Sequence, residues 1–216
     1  MAIGEYYHVF NRGVEKRDIF LDTEDLERFL ESVQAFNSVE TVGSLFEHRF
    51  NKMRAPNGEA MQERLVELIS YCLNPNHFHL LLRQVAERGI QKFMQKLGTG
   101  YTNYFNERYK RTGALFQGRY KAVHVGSNEQ LLHTSVYVNL NNQLGSSTPK
   151  LSRSSWPEYA GGLAGPAATA FRGVCAKEII LGQFSTPDKY KEFAKSSLEA
   201  IVEQKRKEKE LQLLGS

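Results

Sequence analysis

The stretch Asn76-His77-Phe78-His79-Leu80-Leu81-Leu82 places two imidazoles two residues apart in an otherwise apolar run. On a strand, residues two apart leave by the same face. His77 and His79 therefore point together, while Phe78, Leu80 and Leu82 point the other way, into a core. Two neutral imidazoles on one face outline a divalent-metal site; two polar residues on an exposed strand face are the plainer alternative. Further on, His133, Tyr137 and Asn141 recur every four residues, which puts them on one face of a helix. Beside them Leu132, Val136 and Leu140 form a stripe expected to be buried. A phenol and an amide oxygen one turn apart, bordering a core, can both reach a site beside the sheet. The phenol would be the nucleophile and the amide a third metal ligand. Taken singly, Tyr137 reads equally well as a boundary aromatic. Asn141 reads equally well as a helix C-cap, since Asn142 and Gly145 follow.

These residues need elements to position them. Tyr6 to Asn11 alternates as a strand, with Tyr6, His8 and Phe10 on one face, and Asn11-Arg12-Gly13 turns the chain. Asp22 or Thr23 can cap a helix in which Leu26, Phe29, Leu30 and Val33 recur at helical spacing. Residues 38–62 lack a clean period and read as a long connection with a short helix or hairpin. Strands are expected at Val66–Leu73 and His77–Arg83 about a Pro75-Asn76 turn. A helix is expected from Ile90 to Tyr109, weakened or kinked at Gly98 and Gly100, because each Gly costs roughly 1 kcal/mol against Ala. A fourth strand follows at Leu115–Val125. Ser127 then opens a helix, with Gln130 completing a capping box. The order β-α-β-β-α-β predicts an α+β, ferredoxin-like (split βαβ) fold: a four-stranded antiparallel sheet with two helices on one face, then a catalytic helix. A linker at 145–149, a loop at 161–165 and a final helix from Thr186-Pro187 make residues 146–216 a C-terminal extension to a 1–145 domain. The mixed charges of Glu203 to Glu210 read as a solvated helix end.

A chain of 216 residues with 41% hydrophobic content can bury a core, and this argues against disorder. No run approaches the ~20 apolar residues of a membrane span, and the first residues lack the pattern of a signal peptide. Cys72 and Cys175 form no CxxC pair, which fits a reducing, cytoplasmic setting. The net charge is only +4, yet Arg83 to Lys121 holds nine Lys or Arg against Glu87 and Glu107. Phe93, Tyr101, Tyr104, Phe105, Tyr109, Phe116 and Tyr120 are interleaved. Cations that neutralise phosphates, beside rings that stack on unpaired bases, indicate a nucleic-acid partner. Each ring taken singly serves as well in a core.

Four segments together resemble the single-tyrosine HUH transposases, in particular the REP-associated tyrosine transposases and their IS200-like relatives. The first is Tyr7-His8-Val9-Phe10-Asn11-Arg12-Gly13. The second runs from Tyr71-Cys72-Leu73-Asn74-Pro75 through His77-Phe78-His79 to Leu82. The third is Gly113-Ala114-Leu115-Phe116-Gln117-Gly118-Arg119-Tyr120-Lys121, and the last is Tyr137-Val138-Asn139-Leu140-Asn141. The resemblance covers residues 5 to about 145, with the motifs in family order. It implies that His77, His79 and Asn141 bind the metal and that Tyr137 attacks DNA to leave a 5′-phosphotyrosine and a free 3′-hydroxyl. It also implies a partner that is single-stranded or hairpin DNA. Asn142 stands where relatives commonly have Pro, and residues 38–62 are longer than the family pattern.

The chemistry suits these groups. A divalent ion withdraws charge from a phosphodiester and orients it for in-line attack. Imidazole and amide ligands add no negative charge, so the ion keeps its Lewis acidity. Mn²⁺ is compatible with imidazole and Mg²⁺ is the abundant choice. A covalent phosphotyrosine stores the bond energy for rejoining. Arg12, Arg119 and Lys121 are expected at the DNA backbone. The runner-up is a ferredoxin-like module that binds single-stranded nucleic acid without cleaving it; a third reading is a phosphodiesterase that uses water. Whether the protein is a monomer or a homodimer is left open.

Overall fold

The computed structural model describes residues 1–39, 63–144, 151–161 and 173–214, with side chains up to residue 207. The expected connection at 38–62 (apart from its first two residues), the 145–149 linker and most of the 161–165 loop lie outside the described residues. The elements are β1 (Tyr6–Arg12), α1 (Thr23–Ala35), β2 (Val66–Asn74), β3 (His77–Gln84), α2 (Gly89–Arg108), β4 (Lys121–Val125) and α3 (Asn128–Asn139). Then come a 3-10 turn at Asn141–Gln143, β5 (Arg153–Ser154), the short helices α4 (Trp156–Tyr159) and α5 (Glu178–Leu181), and α6 (Pro187–Leu214). The sheet is antiparallel in the order β4-β1-β3-β2-β5. Its first four strands have the expected split βαβ order, and the two-residue β5 adds a fifth strand beyond β2.

Strand alternation divides the interior in two. Tyr7, Val9, Phe78, Leu80 and Leu82 face α1 and α2 and join Phe29, Leu30, Phe93, Leu97 and Tyr101. Leu81, Ile69 and Val125 face the other way and join Leu131, Val136 and Val138 of α3 with Tyr190 and Ala194 of α6. Helices therefore cover both sheet faces, where the sequence had promised only α1 and α2 on one of them.

Local chemistry sets the element ends. Asp22 caps α1 by accepting from Asp25 N–H at 3.0 Å. Ser127 Oγ accepts from Gln130 N–H at 3.1 Å, and Gln130 Oε1 accepts from Gly126 N–H at 2.9 Å, so the side-chain cap of α3 forms as expected. α2 is continuous through Gly98 and Gly100. At Gly100 a Cβ would collide with the ring of Phe36, so this glycine serves close helix packing rather than a break. The fourth strand is shorter than expected. Gly113 and Gly118 have φ of 86° and 72°, which L side chains rarely adopt, so residues 115–120 form an irregular arm. That arm still meets the end of β1, where Val14 N–H donates to Leu115 O and Gln117 N–H donates to Arg12 O.

Candidate active site

Three strands and one helix converge on the face covered by α3. Antiparallel partners share a face, and β1 pairs Phe10 with His79 and Arg12 with His77. The even-numbered residues of β1 thus lie beside the two histidines. On β2 the bulge between Leu68 and Ser70 shifts the phase of alternation. Before it Val66 and Leu68 face the α1/α2 core; after it Tyr71 and Leu73 do. Cys72 and Asn74 are thereby turned to the site face, opposite His79 and His77.

The two histidines are held differently. His79 is 7% exposed, and its Nδ1 lies 2.8 Å from His8 Nε2, one nitrogen donating and the other accepting. The two rings stack at 5.0 Å, and Phe10 stacks on His79 at 5.6 Å. His77 is half-buried, with Nδ1 2.6 Å from Asn76 Oδ1. An amide oxygen only accepts, so the proton sits on Nδ1 and leaves a lone pair on Nε2. That Nε2 accepts from Asn74 Nδ2 at 3.0 Å and lies 3.3 Å from Asn141 Oδ1, which accepts from the same amide at 2.9 Å.

Asn141 is 8% exposed and lies just past the last turn of α3, whose C-cap is Leu140. The 3-10 turn that follows keeps its side chain aimed at β2 and β3, so its hydrogen bonds are not those of a helix cap. Tyr137 is half-buried, with its ring edge-on to His79 at 5.7 Å and to His8 at 5.6 Å. His77, His79, Tyr137 and Asn141 are therefore brought together. His133, a turn earlier on the same helix face, is not: its Nδ1 meets Ser197 Oγ of α6 at 3.1 Å. The expected stripe Leu132, Val136, Leu140 is corrected. Leu132 is only half-buried, whereas Leu131, Ser135, Val136, Val138, Asn139 and Leu140 are buried. The reason is that α3 is packed on two sides, by the sheet and by α6. There Tyr190 OH meets Ser135 Oγ at 3.0 Å and accepts from Asn139 Nδ2 at 3.2 Å.

Electrostatically the histidines are kept neutral. Burial pushes His8 down to about 4. Burial, then His8, His77 and Lys205, hold His79 well below the ordinary imidazole range. His77 is lowered by burial, with Lys205 and Arg12 adding and the contact with Asn141 opposing. No carboxylate acts on either.

This donor chemistry fits a divalent cation. Two lone pairs, His77 Nε2 and Asn141 Oδ1, converge to 3.3 Å without a proton between them. Adjacent ligands of an octahedral ion lie roughly 3 Å apart. The Asn74 amide bridges both and would have to release His77 Nε2, which has only one lone pair. Among the described residues no group of three or more His, Cys, Asp or Glu is placed to hold a metal; the third donor here is an amide oxygen.

Sequence reading assigned no role to His8, Asn74 or Lys205. His8 was legible as a same-face neighbour of Phe10, but its partner depends on strand register. Asn74 is hidden by the bulge. Lys205 of α6, with Nζ 5.1 Å from the Tyr137 ring centroid, had no signal within a mixed-charge helix end. Of the expected backbone contacts, Arg12 and Lys121 are exposed on the site face, since Lys121 pairs with Phe10. Arg119 is exposed on the irregular arm. The aromatic expectation is corrected: Phe93, Tyr101 and Phe105 are buried in the α1/α2 core, and Tyr104, Tyr109, Phe116 and Tyr120 pack against it. Arg108 is engaged by Asp22, Glu24 and Asp25.

The family model described as "Transposase IS200 like" matches residues 44–141, a span that includes His77, His79, Tyr137 and Asn141. Among solved structures, a REP-associated tyrosine transposase bound to a REP hairpin is similar at 12% identity. That match covers 77% of this chain and 88% of that chain, with a TM-score of 0.45. Comparison with curated proteins gives no match.

Proposed function

We propose that this chain, which matches the IS200-like transposase family model over residues 44–141, cuts and rejoins single-stranded, hairpin-containing DNA through a covalent phosphotyrosine. The observation that carries this reading is the convergence of Tyr137 and Asn141 on His77 and His79, across 58 to 64 residues of chain. In this reading His77 Nε2, His79 Nε2 and Asn141 Oδ1 hold Mg²⁺ or Mn²⁺. The bound ion would supply Lewis-acid polarisation of a non-bridging phosphate oxygen. His8 fixes the tautomer of His79: by accepting from Nδ1–H it leaves the Nε2 lone pair free. Asn76 does the same for His77.

Tyr137 Oη attacks phosphorus. The new O–P bond forms as the bond to the leaving oxygen breaks, and the phenolic proton ends on that oxygen as a free hydroxyl. The family resemblance makes the adduct 5′ and the hydroxyl 3′. Arg12, Arg119 and Lys121 hold the DNA backbone. Tyr137 lies edge-on to His8 and His79 of its own chain, which supports action in cis, in a monomer or a homodimer. Residues 1–145 are the catalytic domain and 146–216 an extension. Among the described residues no helix is long and apolar enough to cross a membrane. Both cysteines are buried and free, in keeping with a cytoplasmic setting.

The test is a library of labelled single-stranded hairpins incubated with the protein and Mn²⁺, then resolved on denaturing gels. A protein–DNA adduct is expected, absent in chelator and absent in Tyr137→Phe. Cleavage at the parental rate in Tyr137→Phe would indicate a phosphodiesterase using water. Binding without cleavage of any member would indicate a binding module.

A further inference from the structure

The C-terminal helix does more than brace α3. Along α6, Tyr190 meets Ser135 and Asn139, Phe193 and Ser197 meet His133, and Lys205 sits over Tyr137. The intervals 190, 194, 197, 201 and 205 follow one helical stripe, so the lysine and the buried anchors Tyr190 and Ala194 share a face. The first of these contacts are apolar or neutral hydrogen bonds and fix the helix on α3. The last delivers a cation to the face of the sheet where His77, His79, Tyr137 and Asn141 converge.

Lys205 is solvent-exposed on α6, yet its ammonium lies over the Tyr137 ring. Among the described residues it has no carboxylate partner. Glu203, two residues before it, is engaged by Arg206 at 3.0 Å and Lys207 at 3.7 Å, and the side chain of Glu208 lies outside the described residues. Its neighbours in the site are neutral or cationic: the phenol of Tyr137, the imidazoles of His77 and His79, and Arg12 beside His77. An ammonium beside two neutral imidazoles, with no carboxylate paired to it among the described residues, suits a negative ligand. A phosphodiester is such a ligand, and it must come to Tyr137 for reaction.

We propose that Lys205 is a phosphate-binding catalytic residue: its ammonium holds the phosphodiester that Tyr137 attacks, and the C-terminal extension exists in part to deliver it. This rests on the strand-transferase reading above. The cation sits beside the nucleophile and would compensate charge on phosphate oxygens as the Tyr137–phosphorus bond forms and the bond to the leaving oxygen breaks. As an ammonium it provides a point charge with rotatable donors rather than a fixed fork, so an arginine in its place keeps the charge while changing the geometry.

The experiment uses the full chain with Lys205→Gln, Lys205→Arg and, ten residues earlier on the same helix, the exposed Lys195→Gln. In chelator, hairpin-DNA affinity is measured against salt. Loss of one phosphate contact should flatten the log–log slope by about 0.7 for a single strand. That change is expected for Lys205→Gln and not for Lys205→Arg or Lys195→Gln. With Mn²⁺, adduct formation should fall at least tenfold in Lys205→Gln and recover in part in Lys205→Arg, with Mn²⁺ affinity and melting temperature near parental. An unchanged salt slope in Lys205→Gln overturns the proposal, as does an equal change in Lys195→Gln, which would mark a general charge effect. If the parent forms no adduct with any hairpin, the strand-transferase reading fails, while the chelator measurement still decides whether Lys205 holds phosphate.

Discussion

The two faces of the sheet are built from the same strands and do opposite work. On the α1/α2 face, alternate residues of β3 are Phe78, Leu80 and Leu82. They close against Phe29 and Tyr101, whose rings meet edge to face at 5.0 Å. Even the polar groups there are tied off. Asp25, fully buried, accepts from Leu21 N–H, Tyr104 OH and Tyr109 OH and pairs with Arg108 at 2.9 Å. On the α3/α6 face the intervening residues are His77, His79 and Leu81, and the lone pairs of His77 and Asn141 are drawn together. The first face ties its buried Asp25 to several donors and is a foundation. The second gathers two acceptors, His77 Nε2 and Asn141 Oδ1, on the single Asn74 amide, and puts a phenol and an ammonium beside them. Two acceptors that share one donor, drawn together to 3.3 Å, are what sets this face apart from the other.

The comparison breaks most sharply under single substitutions on each face. Tyr137→Phe should abolish covalent attachment to DNA while changing stability by less than about 1 kcal/mol, because the half-buried ring keeps its packing and loses only its hydroxyl. Denaturing gels and urea melts check the two halves. Phe78→Ala should reverse the pattern. Its side chain is 2% exposed and packs on Phe29 and Phe116, so truncation should cost about 3–5 kcal/mol. If Phe78→Ala were silent in urea melts while Tyr137→Phe unfolded the protein, the division of labour between the faces would be wrong.

Metal binding should separate the faces next. His77→Ala and His79→Ala should each lose Mn²⁺ binding by calorimetry yet still fold. His79→Ala costs about 1–3 kcal/mol for the hydrogen bond that His8 loses. Asn141→Leu should lose Mn²⁺ as well, whereas Asn141→Asp should preserve or raise affinity with an added charged oxygen. Parental Mn²⁺ affinity in Asn141→Leu would remove Asn141 from the ligand set.

Acid should weaken the site face first. His8 titrates at about 4 in the folded protein, lowered by burial from the ordinary 6.5. A depressed imidazole favours the folded state while neutral. Its contribution is whole above about 6.5 and drains as pH falls from there towards about 4. The loss amounts to about 2–3 kcal/mol. Urea melts in chelator across that window should show a shallower decline in His8→Gln, whose amide can still meet His79 but cannot protonate. An equally steep decline would assign the acid sensitivity to other groups.

Much of this was legible before any coordinates. The alternation of His77 to Leu82 gave the two faces, and the four-residue spacing of Tyr137 and Asn141 brought both to one place. What was hidden depends on pairing between distant segments. Asn74 is five residues beyond a bulge whose phase shift no periodicity reveals. His8 becomes a partner of His79 only through the register of β1 on β3. Leu132 is half-buried because α3 is covered twice, whereas a lone amphipathic helix has one buried stripe; the second cover, α6, is legible as a helix from Thr186-Pro187, but nothing in its sequence says that it packs on α3. Gly100 looked like a weak point and is a contact, since its missing Cβ makes room for Phe36.

The smallest expected effect concerns where DNA lies, and the comparison of faces sharpens it. Sequence alone treated the cations from Arg83 to Lys121 as one patch, but the fold divides them. Lys92 is exposed on α2, the helix that covers the foundation face, while Lys121 is exposed beside Phe10 on the site face, with Arg12 near His77. A phosphate contact contributes a slope of roughly 0.7 in log K against log salt for single strands. A general electrostatic attraction from the whole surface would weaken alike on removal of either lysine. Contact along the site face predicts instead that Lys121→Gln and Arg12→Gln each flatten the slope by about that amount and weaken binding several-fold, while Lys92→Gln leaves both unchanged. The measurement is fluorescence anisotropy on a labelled hairpin in chelator across a salt series. The reverse result, with Lys92 setting the slope and Lys121 silent, would move the DNA to α2. The nucleophile would then lie across the sheet from its substrate, which no strand-transfer mechanism at Tyr137 could accommodate.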